Sequence, residues 1–249
     1  MTRLLAAPDA PFSEPGSTIL KDSRTTRVAE LVLPVDGQPT RVIYKRFNRK
    51  KWLDPLLALF RPTRGWRAWQ AGQHLNSRGL PTPTNLAYLQ RQAVGARWAP
   101  SWFLPLDTYI LTIRAEPSMT VSDHVSRCVS ALNGSRKRQA LKELARSLAK
   151  LVRTLHERSL SHRDLKAANI LVEGDPFAET LALTLIDLVG VDLGHPLSRG
   201  RRVQNLARLQ VSLSRLDGWS NTMALRFLRD YLPWASTRRE EWKALWKAI

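Results

Sequence analysis

The chain has 249 residues, of which 43% are hydrophobic, and its formal net charge is +18 because 39 Lys and Arg residues outnumber 21 Asp and Glu residues. This composition excludes a disordered chain and fits one large domain or one domain of two lobes. The single cysteine, Cys128, excludes an internal disulfide framework and argues against a zinc site, so we expect a reducing compartment. The sequence has no signal peptide pattern and no apolar run of about 18 residues, which predicts a cytoplasmic protein.

The first half of the chain predicts strands with one helix. Residues 1–16 are proline-rich and are expected to form a flexible lead-in. Strands are predicted over residues 27–35 and 41–47, joined by Asp36-Gly37, a dipeptide typical of tight hairpin turns. The other predicted elements of this half are a helix over residues 67–78, ended by Gly79, and strands over residues 85–92 and 108–114.

The second half is predicted to be mostly helical. Apolar residues from Leu141 to Leu155 recur at the spacing of an amphipathic helix. The remaining predicted elements are short strands at 170–172 and 181–188, helices from Val203 and from Ser220 or Asn221, and a last helix capped by Thr237 and Glu240 that buries Trp242, Leu245, Trp246 and Ile249. This order predicts an α+β protein with a small β-rich lobe at 17–116 and a mainly helical lobe at 117–249, joined by a connector near residues 115–122.

The segment H-R-D-L-K-A-A-N at residues 162–169 matches the catalytic loop of protein kinases, with its spacing intact. In that loop the aspartate, here Asp164, orients or accepts the proton of the attacking hydroxyl, while the asparagine, here Asn169, binds a metal ion that bridges the phosphates. Lys166 lies between them and is predicted to neutralise charge on the transferred group. A polar turn after a helix is the alternative interpretation.

Asp187 ends an apolar run and follows the loop by the length of a short hairpin, which is the position of the second Mg²⁺ ligand in kinases. A carboxylate is a suitable ligand for this hard cation. The following residues are Leu188-Val-Gly190, so the usual Phe is replaced and the Gly comes one residue late. A structural, hydrogen-bonded aspartate is the alternative.

Lys45 lies in V-I-Y-K, where kinases carry the lysine that binds the α- and β-phosphates of ATP. Two expected features are missing around it. No glycine-rich loop precedes Lys45, and the corresponding turn at residues 21–26 offers only hydroxyls and cations. The helix that follows has Ala68 where a glutamate would pair with the lysine. Two alternatives follow: Gln70 or Gln73 is the substitute partner of Lys45, or the active geometry differs.

With these residues placed, the chain resembles the lipopolysaccharide kinase (Kdo/WaaP) family, bacterial relatives of protein kinases. The resemblance covers roughly residues 19–216 and rests on the segments at 44–47, 75–83, 162–169, 185–187 and 202–209. It implies a two-lobed kinase fold, ATP and Mg²⁺ as cofactors, and a sugar hydroxyl of the lipopolysaccharide inner core as acceptor, on the cytoplasmic side of the inner membrane. The family often has Glu at the position of Ala68 and an Asp-Phe-Asp-like segment at 187–189, so the particular sugar does not carry over.

The stretch at residues 49–67 interleaves arginines and lysines with tryptophans and leucines. Such a segment is suited to anionic headgroups, to which each cation near the surface contributes about 1 kcal/mol. It therefore predicts peripheral membrane docking, with a solvated helix packed on the small lobe as the alternative.

Other functions stay open on the sequence alone. A Ser/Thr protein kinase agrees with Lys166, but the segment from Asp187 to Gly200 is short for a regulated activation loop and no A-P-E anchor follows. A pseudokinase or polyanion-binding module agrees with the missing glycines and glutamate. Nucleic-acid binding is not expected because the sequence has no pattern beyond its basic charge. A monomer is expected, and Cys128 receives no role.

Overall fold

The computed structural model describes residues 2–48, 62–92, 105–116, 118–175, 177–178, 180–193, 196–232 and 239–248. They form two compact units: unit 1 comprises Met1–His74 and Pro83–Arg114, and unit 2 comprises Leu75–Thr82 and Ala115–Ile249. Most of the basic and aromatic stretch at 49–67 lies outside the described residues, as do Thr237 of the predicted capping box and Ile249. Within the described part of the chain, no helix is both long and apolar enough to cross a membrane.

Unit 1 contains a five-stranded sheet in which every neighbouring pair is antiparallel. Its strands are β1 (Thr18–Ser23), β2 (Thr26–Val35), β3 (Gln38–Phe47), β4 (Asn85–Gln92) and β5 (Pro105–Ile113), in the order β1-β2-β3-β5-β4. The predicted hairpin between β2 and β3 is confirmed, since Val35 pairs with Gln38 across the turn. Asp36 and Gly37 both have positive φ, 50° and 78°, as a primed turn requires.

The N-terminal residues pack on one face of this sheet, so the prediction of a flexible lead-in at 1–16 is wrong. The segment forms helix α1 (Thr2–Ala6) and a 3₁₀ turn at Ala10–Phe12. Phe12 is buried and its ring lies 5.3 Å from that of Tyr44. Asp9 accepts hydrogen bonds from Arg46 and Tyr109, both at 2.9 Å. The proline-rich composition predicted flexibility because composition does not show these apolar and ionic contacts.

Helix α2 (Arg64–Ser77) packs on the sheet through glycines. A Cβ on Gly65 would lie 2.3 Å from Thr108 Oγ1, and a Cβ on Gly72 would lie 2.4 Å from Asn85 Nδ2. Asn85 Nδ2 in turn donates to the main-chain oxygen of Trp69 at 3.0 Å. Because residues seven apart share one helix face, these two glycines let α2 approach β4 and β5 closely.

Unit 2 combines helices with short strands. The helices are α3 (Val121–Asp123), continued by a π-helical turn at His124–Val129, α4 (Gly134–Glu157), α5 (Arg199–Leu213), α6 (Asn221–Tyr231) and α7 (Arg239–Ala248). The strands are β6 (Ser118–Thr120), β7 (Ser161–His162), β8 (Ile170–Glu173), β9 (Ala182–Leu185) and β10 (Val191–Asp192). β6, β8 and β9 form one sheet, and β7 pairs with β10.

The core of unit 2 is centred on α4, as the apolar spacing predicts. Leu144, Leu148 and Leu155 are fully buried on it. Two details differ from the sequence predictions. The connector at 115–122 contains β6, which pairs with β8, and the strand predicted over 181–188 ends at Leu185 because Asp187 adopts left-handed backbone angles.

Candidate active site

The loop that carries Asp164 lies between β7 and β8 and is anchored by a buried leucine. Leu165 is fully buried, whereas the flanking side chains of Asp164 and Lys166 are 53% and 43% exposed. A 3₁₀ turn at Ala167–Asn169 then leads directly into β8. Because Leu165 is directed into the core, the side chains of its neighbours Asp164 and Lys166 point away from the core.

Three of the predicted site residues are hydrogen-bonded to one another. Asp164 Oδ2 accepts a hydrogen bond from Lys166 Nζ at 2.7 Å and one from Asn169 Nδ2 at 2.9 Å. Asn169 Nδ2 also donates to the main-chain oxygen of Asp164 at 2.9 Å. Both amide hydrogens of Asn169 are thereby directed to Asp164, which leaves the amide oxygen as the atom able to coordinate a cation.

Asp187 lies next to this group through the backbone. The N–H of Ile186 donates to the main-chain oxygen of Asn169 at 3.0 Å. Asp187 has φ 58° and ψ 56°, a left-handed conformation that aspartate tolerates better than most residues and that tends to occur at functional sites. The structure thus places Asp187 one residue after a backbone hydrogen bond to Asn169.

His162 links the two segments, a role that the sequence reasoning missed. The N–H of Asp164 donates to His162 Nδ1 at 3.3 Å, and His162 Nε2 lies 3.2 Å from the main-chain oxygen of Ile186. Burial lowers the pKa of His162 below its ordinary value, although nearby hydrogen bonds and the carboxylates of Asp187 and Asp164 oppose this shift. A neutral ring with its proton on Nε2 satisfies both contacts, since Nδ1 then accepts and Nε2 donates.

Arg163 extends the network on the other side of the loop. Its N–H donates to the main-chain oxygen of Gly190 at 3.0 Å, and its guanidinium lies 2.9 Å from Asp192 Oδ2. Asp192 also forms an ion pair with Arg201 of α5 at 3.2 Å. Asp192 and the α5 residues that contact the loop were not predicted as site residues. The segment at 202–209 supports the family resemblance, but its contacts with the loop form only in the folded chain.

Lys45 lies in unit 1, on the central strand β3, where it pairs with Val28 on one side and Ile110 on the other. Its side chain is half-buried, and Nζ lies 5.0 Å above the ring of Phe47, a cation–π contact. Ala68 is buried on α2. Gln70 and Gln73, the predicted substitute partners of Lys45, are exposed on the same helix.

The turn between β1 and β2, predicted to correspond to the glycine-rich loop of kinases, is held by side chains. Asn48 Nδ2 donates to the main-chain oxygen of Arg24 at 3.2 Å. The guanidinium of Arg64 and the N–H of Asn48 both donate to the main-chain oxygen of Thr25, at 3.2 and 3.1 Å. Because three donors fix its carbonyls, this turn keeps a defined shape without glycine.

The donor set in unit 2 fits Mg²⁺ better than a metal that needs a preformed cage. No group of three or more His, Cys, Asp or Glu side chains suited to a metal occurs among the residues that the structure describes. Mg²⁺ is typically bound by one or two carboxylates together with waters and substrate phosphates. One carboxylate, Asp187, and one amide oxygen, Asn169, meet this requirement.

Comparison with solved structures defines the class of the fold. A structure described as "WaaP in complex with acyl carrier protein" superposes with a TM-score of 0.64 at 20% identity, covering 99% of this chain and 94% of that one. Two more distant structures are a Stt7 homolog from Micromonas algae soaked with ATP (TM-score 0.46, 19% identity, 74% and 53% coverage) and the BubR1 kinase domain (TM-score 0.47, 15% identity, 86% and 59% coverage). The match to the WaaP structure, over nearly the whole of both chains, confirms the α+β, protein-kinase-like fold predicted from the sequence.

The sequence profile of the lipopolysaccharide kinase (Kdo/WaaP) family matches residues 40–231, a range that includes Lys45, the loop of Asp164 and Asp187. The chain therefore belongs to this family and is a kinase. No curated protein sequence matches it.

Proposed function

We propose that the protein transfers the γ-phosphoryl group of ATP to a hydroxyl of a lipopolysaccharide core sugar or a similar glycolipid. The observation that carries this proposal is the bonded group of Asp164, Lys166 and Asn169, with Asp187 joined to it through the backbone of Ile186. Family membership supplies the glycolipid class of the acceptor.

In the proposed reaction the acceptor oxygen forms a bond to the γ-phosphorus while the bond between that phosphorus and the bridging β–γ oxygen breaks. The hydroxyl proton passes to Asp164, and ADP leaves with the bridging oxygen. Lys166 neutralises charge on the transferred group once the γ-phosphate competes with Asp164 for its ammonium. Asn169 and Asp187 hold Mg²⁺, which supplies charge neutralisation at the phosphates.

Lys45 is proposed to bind the α- and β-phosphates. This assignment rests on its place in the order of kinase motifs and on the family match that includes it. The turn held by Asn48 and Arg64 is proposed to take the place of the glycine-rich loop.

The test is to incubate the purified protein with γ-labelled ATP, Mg²⁺ and a bacterial membrane extract, and then to separate glycolipid, protein and nucleotide fractions. We expect label in the glycolipid fraction. Label in the protein fraction would instead establish a protein kinase. Loss of ATP with no labelled acceptor, or no turnover at all, would overturn the proposal and favour a pseudokinase or a polyanion-binding module.

We also propose that the protein docks on the cytoplasmic face of the inner membrane. The basic and aromatic stretch at residues 49–67 would form the contact. Its cations and aromatic residues are suited to anionic headgroups. Sedimentation with anionic liposomes tests it. Replacement of Arg49, Lys50 and Lys51 by Glu should weaken binding, and equal binding by wild type and variant would contradict it.

A further inference from the structure

One face of α5 carries four polar residues, Arg201, Asn205, Arg208 and Ser212. Their spacing of four, three and four residues returns to the same side of a helix. We call this set the α5 polar stripe. The helix that carries it is fixed in the core of unit 2 by the buried side chains of Leu206, Leu209 and Leu213.

Three members of the stripe bond directly to the segment around Asp164. Ser212 Oγ accepts a hydrogen bond from the N–H of Ala167 at 2.9 Å and donates to the main-chain oxygen of Leu209 at 2.8 Å. Arg208 donates to the main-chain oxygen of Arg163. Asn205 Nδ2 donates to Ser161 Oγ at 2.8 Å, and both of these residues are buried.

Arg201, the fourth member of the stripe, is linked to the loop through the carboxylate of Asp192. Asp192 Oδ2 lies 3.2 Å from the guanidinium of Arg201 and 2.9 Å from that of Arg163. The stripe therefore fixes the chain at Ser161, at Arg163 and at Ala167. These three points lie on both sides of Asp164.

This arrangement matters because the side chain of Asp164 is half-exposed and is not fixed by packing of its own. A general base has to lie within hydrogen-bond reach of the proton that it accepts, and a displacement of about 1 Å can cost about a hundredfold in rate. We propose that the α5 polar stripe positions Asp164 for transfer, with Ser212 and Arg208 as positioning residues. The proposal rests on the proposed role of Asp164 as the base.

The sharpest test replaces Ser212 by two residues that are isosteric with each other, Thr and Val. Thr keeps the hydroxyl, whereas Val replaces it with a methyl group of the same shape, so both share any cost of β-branching in the helix. We expect Ser212→Val to lower the limiting rate of label transfer to glycolipid by about tenfold or more, with the half-saturating ATP concentration unchanged. Ser212→Thr should retain most of the wild-type rate.

Arg208→Ala provides an independent arm, with Arg215→Ala as its control of equal charge. Both arginines are exposed, so neither change removes a buried side chain. We expect a similar fall in limiting rate for Arg208→Ala alone, while the thermal unfolding midpoints of both variants stay near the wild-type value.

Asp164→Ala, assayed in parallel, separates this inference from the proposed function. If Asp164→Ala abolishes transfer but Ser212→Val and Arg208→Ala match their controls, the stripe has no positioning role. A fall in rate that follows the unfolding midpoint, or that Ser212→Thr shares with Ser212→Val, would also overturn the inference. If Asp164→Ala itself keeps the wild-type rate, the proposed role of Asp164 as base is wrong, and absence of glycolipid label with wild type would overturn the proposed function.

Discussion

In unit 1 a cluster of ion pairs forms around Asp9, whereas in unit 2 a hydrogen-bonded network forms around Asp164. The cluster of unit 1 ties the N-terminal segment to the sheet, since Arg46 bonds to both Asp9 and Asp107, at 2.9 and 2.7 Å. The network of unit 2 leaves the side chain of Asp164 half-exposed and fixes the backbone beside it. The polar cluster around Asp9 is thus structural, whereas the one around Asp164 is proposed to be catalytic. Their partners distinguish the two, because Asp9 binds strand residues of the sheet while Asp164 binds Lys166 and Asn169 of its own loop.

The same distinction is visible within Tyr44-Lys45-Arg46-Phe47. Because side chains alternate along a strand, Tyr44 and Arg46 face the N-terminal segment while Lys45 and Phe47 face the opposite side. Tyr44 donates to the main-chain oxygen of Pro8 at 3.0 Å and is fully buried. One short motif therefore contributes a structural pair and a candidate ATP-binding residue.

Apart from the loss of Asp164 itself, the largest effect is expected at the proposed metal ligand of unit 2. Asp187→Asn should lower transfer about a hundredfold or more and raise the Mg²⁺ concentration needed for half-maximal rate, because the amide lacks the charge that Mg²⁺ prefers. Initial rates over a Mg²⁺ titration measure both quantities. Asp175→Asn, at an exposed turn of the same unit, serves as the control. An Asp187→Asn protein with the wild-type Mg²⁺ dependence would remove Asp187 from the metal site.

A smaller effect of a different kind is expected in unit 1. Lys45→Met should raise the half-saturating ATP concentration about tenfold to a hundredfold, as expected when a charge-assisted bond to phosphate is lost. Lys243→Met, which removes an exposed lysine of α7, controls for net charge. ATP titrations at constant acceptor check the prediction. Equal ATP dependence in the two variants would leave Lys45 as a structural strand residue.

Acid should act mainly on unit 2, where three buried histidines have pKa values lowered by burial: His124, His156 and His162. Burial, with a smaller contribution from the charge of Arg202, lowers the pKa of His156 to about 3 from its ordinary 6.5. Below pH 6.5 this histidine binds a proton in the unfolded chain but not in the folded protein. The free energy of unfolding therefore decreases as the pH is lowered from 6.5 to about 3.

The measurement is urea denaturation at about pH 7 and about pH 5, where this single group should account for about 2 kcal/mol of lost stability. His156→Gln removes the titrating group and keeps a polar partner for Tyr231, whose hydroxyl lies 2.8 Å from His156 Nδ1. The variant should lose correspondingly less stability on acidification. A loss equal to that of wild type would show that His156 is not the group responsible.

The smallest effect concerns two helix glycines, one in each unit. Gly72→Ala in α2 should destabilise the protein by about 1–2 kcal/mol, because its Cβ would displace Asn85 and the overpacking outweighs the gain in helix propensity. Gly200→Ala in α5 meets nothing within 4 Å and should stabilise it by up to about 1 kcal/mol. Thermal unfolding of both variants tests the pair, and shifts of the same sign would contradict the close approach at Gly72.

Sequence patterns predicted the elements that depend on local chemistry. The Asp36-Gly37 hairpin, the amphipathic helix around Leu148 and the α+β class were predicted because turn chemistry and apolar periodicity act over a few residues. The segment at 162–169 was predicted to be a catalytic loop because its spacing is itself the chemical requirement.

What the sequence could not predict depends on long-range contacts. Phe12 belongs to the core of unit 1 only because Tyr44 lies beside it in the folded chain. The four polar residues of α5 appear as an ordinary solvated face until Ala167 and Arg163 are placed next to them. Of the candidate site, the residue types of the loop were predicted, whereas the contacts that hold it were not.

Asp164 is proposed to act as the base when the protein transfers a phosphoryl group to a glycolipid hydroxyl. The most direct measurement is the rate of label transfer from γ-labelled ATP into the glycolipid fraction, for wild type and Asp164→Ala side by side at saturating ATP. We expect transfer by wild type and a fall of about a hundredfold to ten-thousandfold in the variant, the range expected for loss of a general base. Equal rates in the two proteins, or no glycolipid label with wild type, would contradict it.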